Sequence, residues 1–526
     1  MNGARPIRPA GGSNRNVWVL IGAALAAVAL CVSLLSGSLL LAALIALLPL
    51  LFVTVWYELK RAADPGHPPI GLIAIVLFLP FFQLAANNNR TLYLIWQGCS
   101  LIVVLFYLSA ERRPEARAAV RSVLPMIVVF EVLSLTGALT LFITGALDSR
   151  AILSAGIFAL SGVYLLVGAL LRTWARSSER ASRILVYGGL LQLPVVIAEA
   201  TGLTDRLGSG LVSRLSSTLY GGAIEAATIV RYPGSFIDYE LFAEWLGILL
   251  IIAVGGVMYT RGWTRIMLAI SVAAILGMGF LTATRGFLIA VALVAVVVVP
   301  GALLSRRGRS FTGPLTAAAA VLAAYFLVPD VAVEGTLTRL LQAQTTGVNA
   351  FNRLPLFTEW WRLVGRMPWY GYGWGAPTLD NALATMHVGF PHSLYFYFAL
   401  TAGWPGFLAL VVFVGMVIFS AWGGLLEGKV DTYRTLVLGV AVAYWAVSQA
   451  KIEFVRLVFY GDLLLVLFGI IAADHWLGLR LKATAEEPER SSSEAAADAT
   501  LAPSYRISNG PPSELSGLRD DEVKGS

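Results

Sequence analysis

Charged side chains are scarce in this chain. They make up 13% of its 526 residues, about half the share in a soluble domain. Cysteine is scarcer still. Cys31 and Cys99 are the two in the sequence, and both fall in apolar runs, which argues against a disulfide framework or a thiolate metal site. The signatures of nucleotide, metal and serine-hydrolase chemistry are missing too: no Asp-x-Asp, no Walker loop, no His-Glu-x-x-His and no Gly-x-Ser-x-Gly. The expectation is therefore chemistry without cofactor or metal, and a donor activated by its own leaving group would need neither. No repeat of 20–50 residues stands out. No cleavable signal peptide is evident, because the run from Val17 to Leu35 passes almost directly into the next one.

What the chain has in abundance is apolar length. It is 57% hydrophobic, with a mean hydropathy of +0.75. Its runs are continuous rather than alternating and about 18 to 25 residues long, the length a helix needs to cross a bilayer. The expectation is an all-α, polytopic membrane bundle of about 14 transmembrane helices (about 12 to 14). The spans fall near 17–35, 38–57, 70–86, 91–109, 122–146, 151–171, 184–202, 240–259, 266–283, 286–304, 312–329, 394–420, 435–450 and 456–474. The net charge of +7 sits mostly in short connections, such as 172–183 and 306–309. That pattern fits a positive cytoplasmic side better than nucleic acid. The chain then divides into a cytoplasmic arm (1–16), N-terminal spans (17–202), a core (203–420) with outer segments 203–238 and 330–393, C-terminal spans (421–474), and a disordered cytoplasmic tail (475–526) rich in Glu, Ser, Ala and Pro.

Chemistry concentrates in three places. Arg285 lies between two apolar spans with no acidic neighbour in sequence. An arginine at membrane depth costs roughly 3 kcal/mol or more, so it either snorkels to the interface or serves a cavity as an anion clamp. A guanidinium suits the second role, since it stays charged and grips phosphate oxygens in pairs. Before the eighth span runs Arg231-Tyr-Pro-Gly-Ser-Phe-Ile-Asp238-Tyr-Glu240, with Glu244 beyond it. Helix capping accounts for Asp238 and Glu240 but not for Arg231 or Glu244. The longest interval between apolar runs, Arg353 to Phe407, holds Glu359, Trp360, Trp361, Gly371-Tyr-Gly-Trp-Gly375, Asp380, His387, His392 and Gly403-Trp-Pro-Gly406. His392 can pass a proton near neutral pH or simply hydrogen-bond at an interface. The aromatic residues form either an interfacial belt or a platform for sugar rings. Gly255-Gly256 and Gly277 to Gly279 are places where spans could break.

Three stretches together resemble the O-antigen ligase and polymerase superfamily, which holds lipopolysaccharide ligases and Wzy-type polysaccharide polymerases. Arg231-x-x-Gly-Ser-Phe resembles its Arg-x-x-Gly-Thr-Phe. Thr284-Arg285-Gly286 resembles its Ser-Arg-Gly between two spans. Asn352-Arg353, Gly371-Tyr-Gly-Trp-Gly375, His392-Ser393-x-Tyr395 and Gly403-Trp-Pro-Gly406 resemble its large outer loop. The likeness covers about 220–420. It departs where Tyr239-Glu240 replaces Pro-Asn, Ser393 replaces Asn and Thr401 replaces Glu.

The resemblance implies a GT-C-like bundle in the bacterial cytoplasmic membrane, with its site on the outer face. The donor would be an undecaprenyl-diphosphate-linked glycan, delivered from membrane lipid to a saccharide acceptor. Flippase and chain-length regulator would be partners. Arg285, Arg231, Arg353 and Arg339 would hold the diphosphate, and His392 would orient or deprotonate the acceptor. Glu359, Trp360, Tyr395 and Asp380 would contact sugar. Polymerase and ligase are the alternatives it leaves, with the polymerase favoured; a polyprenyl-linked sugar transporter is a competing reading of another class.

Overall fold

The computed structural model describes residues 68–88, 90–110, 114–147, 149–201, 234, 236, 239–282, 284–305, 354–374, 377–385, 393–426, 433–450 and 462–477. All regular structure among the described residues is helical. In chain order the helices are α1 (Ile70–Asn88), α2 (Arg90–Ala110), α3 (Pro114–Thr144), α4 (Ser149–Ser161), α5 (Val163–Ala175), α6 (Ser178–Leu190) and α7 (Leu193–Ala200). Then come α8 (Tyr239–Tyr259), α9 (Gly262–Leu281), α10 (Arg285–Leu293) and α11 (Val299–Leu304), the last two joined by a π-turn at Val294–Val298. They are followed by α12 (Leu354–Arg366), α13 (Pro377–Thr385), α14 (Leu394–Leu426), α15 (Gly439–Ala450) and α16 (462–477).

Seven of these stretches are long and apolar enough to cross a membrane, counted over the described residues: Pro114–Thr144, Ala151–Ala175, Ser178–Ala198, Glu240–Tyr259, Trp263–Leu281, Gly286–Leu304 and Leu394–Gly423. Shorter apolar helices cover Ile70–Pro80, Tyr93–Ser109 and Tyr433–Val447. The expected spans at 17–35, 38–57 and 312–329 lie outside the described residues.

Several helices carry a bare apolar face. Along α3, Leu124, Val128, Val132, Leu135, Leu139 and Phe142 are all exposed. Their spacing of three and four residues makes one apolar stripe. In water such a stripe would be an aggregation hazard. The opposite face, including Met126, Phe130, Leu133, Gly137 and Leu141, is buried. Helix α8 is of a different kind. Its apolar window is buried throughout, against 22% for Gly286–Leu304, so α8 is the axis that other helices surround. Glycines let them approach. A Cβ on Gly247 would lie 2.6 Å from the Tyr444 hydroxyl, one on Gly255 2.5 Å from Val437, and one on Gly256 2.8 Å from Leu268. Small residues play this part between membrane helices, where burial alone gives little drive to associate.

Several expectations are corrected here. Gly255, Gly256, Gly277 and Gly279 do not break their spans; α8 and α9 run through them unbroken. The interruptions fall elsewhere. One is at Gly162 between α4 and α5, another at 191–192 between α6 and α7, and a third at Gly403 inside α14. The basic connection expected over 172–183 shrinks to Arg176 and Ser177. Arg176 closes α5 in the left-handed conformation, and the Ser177 side chain accepts the Arg180 N–H to cap α6. His475, expected to open the disordered tail, is a buried residue of α16.

Candidate functional site

The segment 367–374 is tied to the kink in α14 by a backbone clasp. Pro405 has no N–H, so the Thr401 carbonyl cannot receive its helical bond. Gly403, at φ 66° and ψ −167°, turns the Trp404 N–H away, and the Leu400 carbonyl is orphaned as well. A buried orphan carbonyl must find another donor. The loop supplies two: Tyr372 N–H donates to Leu400 O at 2.8 Å and Gly373 N–H to Thr401 O at 2.8 Å. Trp404 N–H donates in return to Trp369 O at 3.0 Å. Gly371 and Gly403 make the approach possible. Both have φ in the left-handed region, and a Cβ on Gly403 would lie 2.3 Å from Trp369 O.

Helix α3 completes the seat. Thr140 Oγ1 donates to Tyr370 O at 2.5 Å, and Trp374 Nε1 donates to Ser134 O at 2.9 Å. Gly137 leaves the space that the Trp374 indole fills. That ring stacks on Phe158 at 4.4 Å and meets Phe398 edge-on at 5.3 Å. Burial pushes the Tyr372 hydroxyl above its ordinary pKa. Thus Gly371-Tyr-Gly-Trp and Gly403-Trp-Pro, thirty-odd positions apart in sequence, are one structural unit.

Helix α12 sits beside this clasp. Its inner face, Trp360, Leu363 and Val364, packs with Met367, with Leu379 and Leu383 of α13 and with Ala399 and Leu400 of α14. Its outer face carries Trp361, Arg362 and Arg366.

The candidate residues divide accordingly. Trp360 is fully buried, with its ring 5.7 Å from Phe396. It is a core residue and presents no open ring face to a sugar, contrary to expectation; the exposed rings nearby are Trp361 and Trp369. Glu359 is not a spare carboxylate. It pairs with Arg362 one turn on at 3.0 Å, in an exposed bridge worth roughly 0–1 kcal/mol. Tyr395 is half-buried in the first turn of α14. Asp380 lies on α13, and its side chain is outside the described residues. Arg285 is the first residue of α10, reached by a tight junction from α9, and its side chain likewise lies outside them. The junction is held from both sides. Thr282 Oγ1 donates to Gly279 O at 2.6 Å, and the Tyr444 hydroxyl donates to Gly286 O at 3.0 Å. Glu244 is buried on α8, which packs against α10. Arg231, Arg339, Arg353, His387 and His392 lie outside the described residues.

The sequence reading missed a set of buried polar groups. Asp462 on α16 receives the Tyr93 hydroxyl, and the Gln97 amide at 3.1 Å. Asp474, about three turns further along the helix, is bridged by Arg172 and, at 3.6 Å, by Arg434. The available signal was an Asp inside an apolar run, which marks an intramembrane ionisable group.

No protein-family model, curated protein or solved structure matches this chain.

Proposed function

We propose that this chain is an integral membrane glycosyltransferase of the bacterial cytoplasmic membrane. It moves a glycan from undecaprenyl diphosphate to a saccharide acceptor on the outer face, and in the reading we favour it polymerises surface-polysaccharide repeat units. Transfer to lipid A core or to protein is the ligase alternative. The observation that carries the proposal is the clasp. Two of the motif segments that resemble the superfamily are held together by three backbone hydrogen bonds. They fix an amphipathic helix, α12, beside the helix that begins at Leu394, two positions after His392 in sequence. A rigid mount of this kind is what a transfer site needs, because chemistry without metal rests on positioning and fixed charge. In this reading the ~14-span GT-C-like count holds, and Arg285, with Arg231, Arg339 and Arg353, stabilises the departing diphosphate. His392 takes the acceptor proton.

A second reading, a polyprenyl-linked sugar transporter, is favoured by the interrupted helices at Gly162, at 191–192 and at Gly403. Broken helices line transport sites in several folds.

The test is reconstitution of the purified chain with one undecaprenyl-diphosphate repeat unit, without metal. A ladder of longer lipid-linked glycans is expected. Arg285→Ala should lower transfer about 100-fold or more while the protein still accumulates. His392→Ala should lower it about 100-fold and flatten the pH profile near neutrality. Transfer that begins once a lipid A core or acceptor protein is added marks the ligase. Lipid movement across the bilayer without any product marks the transporter. A full ladder from Arg285→Ala protein defeats the assignment.

A further inference from the structure

The outer face of α12 has no part in the chemistry proposed above. Its exposed positions are Trp361, Arg362, Gly365 and Arg366, and Trp369 follows just beyond the helix end. That spacing is one face of a helix. Its charge is positive in excess. Arg362 pairs with Glu359 at 3.0 Å, whereas the Arg366 side chain has no ion-pair partner among the described residues. Complementing the helix dipole accounts for Arg366 in the last turn. It accounts for none of the bare aromatic rings beside it.

Three indoles are exposed here: Trp361, Trp369 and Trp404. Trp361 meets Phe396 of α14 edge-on at 5.7 Å, and the Trp404 N–H donates to Trp369 O at 3.0 Å. A ring that is apolar over most of its area and carries one N–H is at home where apolar and wet surroundings meet. Helix α14 supplies the depth. Beyond Trp404 it exposes Leu408, Val411, Val412, Ile418, Phe419 and Leu425, spaced so that they share one face. From Trp404 to Leu425 that face is about 31 Å long at about 1.5 Å per residue, the thickness of a bilayer's hydrocarbon core. Trp404 therefore stands at one edge of a bilayer-thick apolar face. The clasp ties Trp369 to Trp404, and Arg366 is three positions from Trp369. The basic end of α12 is thus held at the same edge, where headgroups lie.

We propose that this stripe is a membrane-surface anchor that binds the phosphate of anionic phospholipids. Trp361, Trp369 and Trp404 lie among the headgroups, and Arg362 and Arg366 take the phosphate oxygens. Guanidinium holds such oxygens in pairs and stays charged. Basic residues beside tryptophan on one helix face are the combination that interfacial helices use. The net charge of the stripe selects anionic over zwitterionic lipid, whose phosphate already carries a tethered cation. A second protein could cover the same rings, but it would not require them at the edge of a bilayer-thick face. The anchor depends on the chain being a membrane protein and not on the transfer chemistry. Its effect would be to hold α12, and through the clasp the loop 367–374, at a fixed depth.

The test uses the full-length protein in phosphatidylcholine nanodiscs with no glycan donor, so its outcome is independent of transfer. A trace of phosphatidylglycerol or phosphatidylcholine carries a photoactivated group on its headgroup, and labelled peptides are quantified by mass spectrometry. Residues 361–369 should be labelled about five-fold more by the phosphatidylglycerol probe, because each basic group at an anionic surface contributes a factor of about five and Glu359 offsets one of the two. The ratio should fall to about one in about 1 M salt, where exposed charges are screened. This reading on the wild-type chain stands even if variants fail to fold. Arg362→Gln with Arg366→Gln should bring the ratio to about one at low salt, while Arg261→Gln, at an exposed position ahead of α9, should leave it unchanged. Equal labelling by the two probes in the wild-type chain overturns the proposal, as does labelling of 361–369 no stronger than that of the buried stretch 246–254. A ratio that survives high salt or the double substitution overturns it too. Chain-to-chain cross-links through 361–369 in place of lipid overturn it in favour of a second copy.

Discussion

Gly371 and Gly403 meet backbone to backbone, and no side chain lies between them to give way. A Cβ on Gly371 would stand 2.5 Å from Gly403 N, and both residues hold φ values that L side chains rarely adopt. Gly371→Ala or Gly403→Ala should each destabilise the protein by about 1–3 kcal/mol from backbone strain, before any steric cost. Gly365, on α12 with open space around its Cα, is the control, and alanine there should stabilise by roughly 0.5–1 kcal/mol. Thermal midpoints of the three variants check this; equal effects at all three positions would contradict it. The same pair marks the limit of what the sequence reveals. A glycine that admits a ligand and one that admits a carbonyl read alike along the chain. Hence the motif could be located but its packing role could not. Trp360 is a similar case: an indole in a polar loop looks like a sugar platform until its neighbours at Leu363, Leu379 and Leu400 are known. Asp462 was legible as an Asp in an apolar run, whereas its partners Tyr93 and Gln97 lie more than 360 positions away and left no local trace.

Among the elements, α5 and α16 cross at a pair of glycines. A Cβ on Gly168 would lie 2.0 Å from Val466 O, and one on Gly469 2.2 Å from Leu165 O. The contact is reciprocal and involves backbone on both sides, so it cannot relax through a rotamer. Gly168→Ala should force the helices apart and carry the Arg172–Asp474 bridge with them. The expected result is loss of most of the monodisperse peak in size-exclusion chromatography. Gly415→Ala on α14, where nothing lies within 4 Å, should leave the peak intact. Span starts were readable from hydropathy in some cases only: α8 and α10 begin within one residue of expectation, whereas α3 begins at Pro114, eight residues before the expected 122, and α6 at Ser178, six before the expected 184. Breaks were not readable, because glycine content does not distinguish a break from a crossing. Gly255 and Gly256 serve packing, while the interruption between α6 and α7 falls at Leu191 and Gln192.

Among the described residues the helices are arranged around α8, with helices that expose apolar faces outside. A photoactivated apolar reagent dissolved in the bilayer should label the α3 stripe, notably Leu135, Leu139 and Phe142, together with Val296 and Leu408. It should spare the stretch from Leu246 to Val254, which is buried on every side. Mass spectrometry of the labelled peptides decides the matter; α8 labelled as heavily as α3 would contradict this arrangement. The all-helical class and the membrane character followed from composition alone, since long continuous apolar runs admit few other solutions. Which helix becomes the axis did not follow, because the mean hydropathy of α8, 2.2, equals that of the outer α3 and lies below the 2.9 of Gly286–Leu304.

The clasp also imposes an order on biosynthesis. The amides of Tyr372 and Gly373 leave the ribosome well before the carbonyls of Leu400 and Thr401 that accept them. Thr140, which holds the same loop through the Tyr370 carbonyl, is made long before either. Until residues 375–404 have been translated, the loop can be held by α3 alone. A nascent chain halted in that interval would carry its motif untethered, and a translocation defect that delays α14 would be read out at the loop rather than in the helix itself.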